Sequence, residues 1–278
     1  LQEKADKKRI ISIMKGGETM PILQTEKISV NFGGLWAVHG VDFAIEPQEV
    51  VGLIGPNGSG KTTFLNIISG IYKATEGRVI LNGEDVTRKK PFEIYRRGIA
   101  RTYQASRLCW DLSVADNILT GLISSQKANL FDTICRPVKV NEEIYRGLEE
   151  AMELLSYFNA DLVKHRYLLA KNIPHIDRRR IEICRALVGH PKILLLDEVT
   201  AGLNDQETMT MIGDIDRICE RIPDIAIIII EHDMQVMREV PQRIVVFNVG
   251  EKIAEGSYKE IVHNQAVIDA YLGKEAAV

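Results

Sequence analysis

Hydrophobic and polar residues alternate over 22–30 and again over 37–45, with Gly33-Gly34 between them, a pattern that predicts an antiparallel hairpin. A second alternating stretch, Arg78 to Asn82, runs into Asn82-Gly83, a strong turn pair. Other apolar runs do not alternate. Val50 to Ile54, Ile193 to Leu196 and Ile225 to Ile230 are continuous, as strands buried on both faces are, and Arg243 to Phe247 forms a further strand. Between these runs the period lengthens. Residues 63–69 are apolar at 64, 65, 67 and 68 before Gly70. Asp177 to Val188 turns Ile181, Cys184, Leu187 and Val188 inward and stops at His190-Pro191, and 205–221 repeats through Met211, Ile212, Ile215 and Ile218. Two short helices near 258–272 close the chain. Buried strands alternating with helices predict an α/β fold with a mostly parallel sheet and an antiparallel β subdomain beside it.

From about 105 to 175 the pattern is helical, and it reads as a subdomain inserted into the α/β core. Ile144, Leu148, Met152 and Leu155 predict one buried helical face, and 123–141 reads as a polar connection around Pro137. Residues 1–20, with a basic run from Lys4 to Arg9, read as a disordered extension ahead of a single domain over 21–278. Apolar residues make up 45% and charged residues 26% of the chain, an ordinary globular balance. A net charge of −3 carries no electrostatic footprint for nucleic acid, and none is expected as a partner. The four cysteines have no metal-ligand or framework spacing, so reduced core thiols are the plain reading. The longest apolar run is too short to span a bilayer, so any role at a membrane passes through a partner.

The chemistry starts at Gly55-Pro56-Asn57-Gly58-Ser59-Gly60-Lys61-Thr62-Thr63, which matches G-x-x-x-x-G-K-[ST] between a predicted strand and a predicted helix. Gly58 and Gly60 allow consecutive N–H groups to turn inward as an anion nest at a helix N-terminus. Lys61 reaches outer phosphates, and Thr62 offers its hydroxyl to Mg2+. The expected ligand is a nucleoside triphosphate. No N-K-x-D element that would read guanine occurs in the chain.

The apolar strand ending in Asp197-Glu198 supplies the second part. At a strand tip, Asp197 suits a water-mediated hold on Mg2+, and Glu198 suits a base that polarises an attacking water. His232 follows the next buried strand and reads either as a γ-phosphate sensor or as an ordinary exposed histidine. Gln104 follows a short strand and reads as a neighbour of Mg2+ or water.

The order and spacing of these pieces resemble the ATP-binding subunits of ABC transporters, from about residue 22 to the C-terminus. The resemblance implies that fold, with ATP and Mg2+ as ligands. It implies an adenine-stacking role for Phe32, 29 residues before Lys61, where a strand-end core residue is the competing reading. It also gives Gln104 the glutamine-loop role, and assigns Asp197 to Mg2+, Glu198 to general base and His232 to the switch. Asn31-Phe32-Gly33-Gly34-Leu35, Ile99 to Gln104, Arg179 to Ile183, Ala201-Gly202-Leu203-Asn204, Glu231 to Met234 and Ala270 to Gly273 resemble the branched-chain amino-acid importers in particular. Urea importers and lipopolysaccharide exporters share much of this. Implied partners are a second ATPase subunit, a transmembrane permease at the cytoplasmic face and, indirectly, a substrate-binding protein. The permease would meet the segment with Arg107, Leu108 and Trp110, where Trp110 reads equally as exposed or buried. Rival readings are a soluble ATPase of the same fold and a weakly hydrolysing regulatory subunit.

One motif departs from the pattern. The signature, Leu-Ser-Gly-Gly-Gln or a close variant, is replaced by Ile173-Pro174-His175-Ile176-Asp177. Pro174 has neither hydroxyl nor N–H. Variants in the branch this chain resembles carry proline at the second place and aspartate at the fifth, so Ile176, standing where a glycine lets the backbone approach phosphate, is the sharpest departure. Asp177 reads as the N-cap of its own helix. A homodimer built on this motif is expected to hydrolyse poorly, which points to a different ATPase chain as partner.

Overall fold

The computed structural model describes residues 20–122 and 137–272. Residues 1–19 of the extension expected over 1–20, the first part of the connection expected at 123–141, and Gly273 lie outside the described residues. The strands are β1 (Leu23–Phe32), β2 (Leu35–Ile45), β3 (Val50–Ile54), β4 (Glu76–Leu81), β5 (Glu84–Asp85), β6 (Ile99–Arg101), β7 (Ile193–Asp197), β8 (Ala226–Ile230), β9 (Arg243–Asn248) and β10 (Glu251–Gly256). The helices are α1 (Lys61–Ile68), α2 (Pro91–Arg96), α3 (Val114–Leu119), α4 (Pro137–Phe158), α5 (Ala160–Lys164), α6 (His175–Leu187), α7 (Asp205–Arg221), α8 (Met234–Glu239), α9 (Tyr258–Val262) and α10 (Gln265–Leu272). They fall into two compact units, one holding the residues up to Lys89 with those from Asp224 onward, the other Lys90–Pro223.

In the first unit, β1 pairs antiparallel with β2 and with β4, across the Gly33-Gly34 turn read from the alternation. Asn82 and Gly83, both at positive φ, close the β4–β5 turn. The second sheet of this unit runs β10-β9-β3-β8, parallel except for the β9–β10 hairpin. Every residue of β3 and β8 is buried, as their unbroken apolar sequences require. Helix α1 is seated by Phe64, whose ring meets Phe43 of β2 edge-on at 5.4 Å and Phe247 of β9 at 5.3 Å. These contacts hold the helix start, and the loop leading to it, against two sheets.

The second unit pairs β6 with β7 in parallel, Arg101 opposite Leu195, and surrounds them with helices α2 to α7. The 105–175 span expected as a helical insertion lies within this unit. Two corrections concern α4. Pro137 is its first residue rather than part of a connection, in keeping with proline's fitness for the first helical turn. Its buried positions are Gly147, Ala151, Leu155 and Phe158, whereas Ile144 is 41% exposed and Leu148 and Met152 only half-buried. The stripe rotates because a Cβ at Gly147 would run into Leu122, so the helix packs through a residue with no side chain. Helix α7 buries Met211, Ile212, Ile215 and Ile218 as expected, and Asn204 and Glu207 cap it reciprocally. Cys109 is exposed, which corrects the expectation that the thiols are all in the core, while burial drives the Cys184 thiol pKa upward.

The β9–β10 turn carries an unfavourable choice. Val249 sits at φ 46, in the left-handed region that β-branched residues avoid, with 76% of its surface exposed. Val249→Asn is therefore expected to stabilise the protein by about 1 kcal/mol, because asparagine tolerates that conformation and no packing is lost. A denaturation midpoint that fell or stayed level would show that the turn stores no such strain.

Candidate nucleotide-binding site

Gly55, Gly58 and Gly60 all adopt positive φ, at 147°, 79° and 103°, and the loop between β3 and α1 closes with Ser59 N–H donating to the Pro56 carbonyl. A Cβ on Gly55 would run into the Phe247 carbonyl, and one on Gly60 would lie 2.5 Å from the Ala37 carbonyl. Only glycine fits. Lys61 is buried, and its Nζ donates to the Gly55 carbonyl at 2.8 Å and the Pro56 carbonyl at 3.0 Å. The cation is thus held over the loop it follows, already stripped of bulk water. Asn57, Gly58 and Thr62 are exposed, so the outward side of the loop and the Thr62 hydroxyl are open to a ligand. Phe32, at the end of β1, is 48% exposed and meets Tyr72 edge-on at 5.3 Å. It is not a core residue, so an aromatic face near the loop's own unit is left to solvent.

Residues the motif did not reveal hold this loop in place. Gly250 N–H donates to the Ser59 carbonyl at 3.0 Å, and the Gly250 carbonyl accepts from His39 N–H at 2.8 Å. Burial pushes the Tyr271 phenol upward, against a hydrogen bond with the Gly55 backbone, so α10 also reaches the loop. His232, at the end of β8, is exposed.

In the second unit both acids at the end of β7 are engaged by the end of β6 and the residues just after it. Arg101 Nη2 donates to Asp197 Oδ2 at 2.6 Å, and Gln104 Nε2 donates to Glu198 Oε2 at 2.6 Å. Glu198 lies at φ 52, a strained conformation of the kind that gathers at functional sites. Asp197 is buried, and its Oδ1 has no hydrogen-bond partner among the described residues. That atom is an acceptor of the hard oxygen type that Mg2+ and its waters select.

Helix α6 starts at His175 with Pro174 as its N-cap residue, two positions before the expected start. Asp177 is therefore not an N-cap. It lies inside the first turn, buried, taking Arg180 Nη1 at 2.8 Å and Asn159 Nδ2 at 3.2 Å. Arg180 Nε donates onward to Asp214 at 2.7 Å, and Arg217 takes the other Asp214 oxygen at 2.8 Å. Burial works against the Arg180 charge, but the two carboxylates outweigh it and raise its pKa. Further along α6, Arg179 donates to the Gln104 carbonyl at 3.0 Å, and Glu182 accepts from Arg107 N–H at 3.0 Å. Leu108 is buried, whereas Trp110 is 41% exposed with the Arg178 guanidinium 5.1 Å over its ring. The buried reading of Trp110 is thereby excluded.

Gly250 provides a test of the loop's support. It sits at φ 82 with the Ala37 and Trp36 carbonyls 3.1 Å from where a Cβ would stand. Gly250→Ala is expected to weaken ATP binding by about tenfold, the effect of roughly 1–2 kcal/mol of strain passed to the loop. Unchanged affinity by nucleotide titration would mean the turn does not support the loop.

The chain matches the ABC transporter family model over residues 38–201, and a model described as branched-chain amino acid ATP-binding cassette transporter over 251–277. It is 36% identical over 259 residues to the high-affinity branched-chain amino acid transport ATP-binding protein LivG of Escherichia coli K12, covering 92% of this chain and 99% of that one. BraF of Pseudomonas aeruginosa, a protein of the same description, is 35% identical over 91% of this chain and 98% of its own length. Among solved structures, a nucleotide-free ATP-binding cassette from an ABC transporter superposes with a TM-score of 0.78 at 31% identity, covering 92% of this chain and all of that one. Glycine loop, buried cation, paired strand-end acids and whole-length similarity agree, and the chain belongs to the ATP-binding subunits of the ABC transporters.

Proposed function

We propose that this chain is the ATP-hydrolysing subunit of an importer for branched-chain or related amino acids. ATP binding and hydrolysis are those of its family. The substrate reading rests on what the relatives are named for and on the match of residues 251–277. No helix among the described residues is long and apolar enough to cross a membrane. Work at the membrane, at its cytoplasmic face, then goes through a transmembrane permease, a second ATPase subunit and, indirectly, a substrate-binding protein. The exposed Trp110 is the part of the helical unit offered to the permease.

In this reading Gly55 to Thr63 wraps the phosphates, Lys61 exchanges its carbonyl partners for the outer phosphates, and Phe32 stacks on adenine. Mg2+, when bound, neutralises phosphate charge. Thr62, Asp197 and Gln104 would hold it, and the open Thr62 hydroxyl and unpartnered Asp197 Oδ1 fit that task. Glu198 takes the proton of the attacking water, and Gln104, donating to its Oε2, orients the carboxylate. His232 senses the γ-phosphate. The observation that carries hydrolysis rather than binding alone is this held carboxylate, an acid fixed at a strand tip by a neutral donor.

Two variants separate these roles. Lys61→Ala is expected to lose ATP affinity, since a desolvated cation on the phosphates disappears. Glu198→Gln should bind ATP as wild type does and lose turnover by about 10²-fold or more, because an amide takes no proton. Titration and steady-state assays on the assembled transporter decide this, and a Glu198→Gln protein that turned over normally would remove the base.

The altered signature adds an asymmetry. A head-to-tail dimer closes each ATP between one chain's phosphate loop and the other chain's signature. Here that helix start has proline for a hydroxyl, isoleucine for a glycine, and a carboxylate pinned to Arg180 in the first turn. Its own negative charge already satisfies the helix's positive end. The productive ATP therefore sits on this chain and is closed by a different partner with an intact signature. Pro174→Ser with Ile176→Gly, which leaves the Asp177 contacts alone, should raise the ATPase activity of this chain by itself by about tenfold or more. Brisk activity of the unaltered chain alone, or no gain on restoration, would contradict the asymmetry.

A further inference from the structure

We propose that Arg101 is a positioning residue for the metal-binding acid, one that fixes Asp197 so that a single carboxylate oxygen is left to receive Mg2+. The inference rests on the nucleotide reading above and adds to it a residue that the motifs do not assign. Arg101 and Asp197 are 5% and 3% exposed, with Nη2 and Oδ2 2.6 Å apart. Burying a carboxylate this deeply is costly unless a counter-charge sits beside it. A guanidinium provides one without ever giving up its proton.

The pairing is lopsided. A pair that served only stability would be expected to satisfy both oxygens, since a buried ion pair repays its desolvation only when the remaining lone pairs are also bonded. Here Oδ1 is buried and has no hydrogen-bond partner among the described residues. The backbone is fixed as tightly as the side chain. Thr102 N–H donates to the Leu195 carbonyl at 2.9 Å, and Asp197 N–H donates to Thr102 Oγ1 at 3.3 Å. With its main chain and Oδ2 both held by the β6 segment, Asp197 has no freedom to turn Oδ1 elsewhere.

Arg101 is itself steadied. Its guanidinium lies 5.1 Å from the Tyr103 ring centre, and Arg107 lies 3.8 Å from the same ring. The Tyr103 carbonyl accepts from Arg179 Nη1 at 3.4 Å. The strand end thus meets both acids of β7 from one short stretch, Arg101 on Asp197 and Gln104 on Glu198, so metal ligand and base are set by a common support.

The test compares metal and nucleotide affinities in Arg101→Met, Arg101→Gln and Arg101→Lys. ATP affinity in EDTA reads the phosphate loop alone, and Mn2+ binding to the ATP complex by electron paramagnetic resonance reads the metal position. Arg101→Met should keep metal-free ATP affinity and raise half-saturating Mn2+ by about 10-fold or more, the usual cost of losing a residue that orients a metal ligand. Arg101→Lys, which keeps a cation on Oδ2, should recover most of that loss. A folded Arg101→Met protein with wild-type Mn2+ binding would overturn the proposal. If the methionine variant does not fold, Arg101→Gln carries the same expectation and the same refutation. A wild-type chain that bound no ATP in EDTA would overturn this inference and the nucleotide reading together.

Discussion

Backbone must pass where no side chain can, and the phosphate loop depends on that constraint. At Gly55 and Gly60 the obstacles are main-chain carbonyls, of Phe247 and Ala37, which cannot swing aside as side chains can. The loop is therefore shaped by β2 and β9 as much as by its own sequence. Phe64, lodged between Phe43 and Phe247, ties the following helix to the same two strands. With the loop so confined, Lys61 is buried and rests its ammonium on the Gly55 and Pro56 carbonyls of the loop itself.

Much of this was legible in the chain itself. Continuous apolar runs gave β3, β7 and β8, alternation gave the β1–β2 hairpin, and the glycine spacing identified the phosphate loop, because each of these signals is local. What escaped was set by distant neighbours. The α4 stripe was misplaced because its deepest contact is a glycine, Gly147, which no hydrophobic count registers. Asp177 reads as a helix cap because aspartate favours that position, but the helix starts two residues earlier and Arg180 and Asn159 hold Asp177 inside its first turn. Gly250 and Tyr271 reach the loop from the other end of the chain, so no motif spans the distance. Arg101 lies within the stretch Ile99 to Gln104, yet only the parallel register of β6 on β7 brings it to Asp197.

The second unit divides its polar residues by task. Arg179 and Glu182, one turn apart on α6, engage each other at 3.1 Å and together grip the backbone on either side of Gln104. Arg185 adds a hydrogen bond to the Arg107 carbonyl at 2.7 Å. The glutamine segment and the signature helix are consequently one mechanical piece. Displacing Gln104 requires either moving α6 with it or breaking charge-assisted bonds that are largely shielded from water.

Asp177, Arg180 and Asp214, buried, and Arg217, exposed, form a network that constrains which changes this chain tolerates. Two acids and two bases balance one another there. A lineage that exchanged Asp177 for the glutamine usual in its family would leave Arg180 and Arg217 sharing one carboxylate. Replacing Asp177 thus costs stability whatever it does at the nucleotide, while Pro174 and His175 face solvent and carry no such constraint. The side chain at this place of the signature is entrenched by the protein's interior as much as by any ligand.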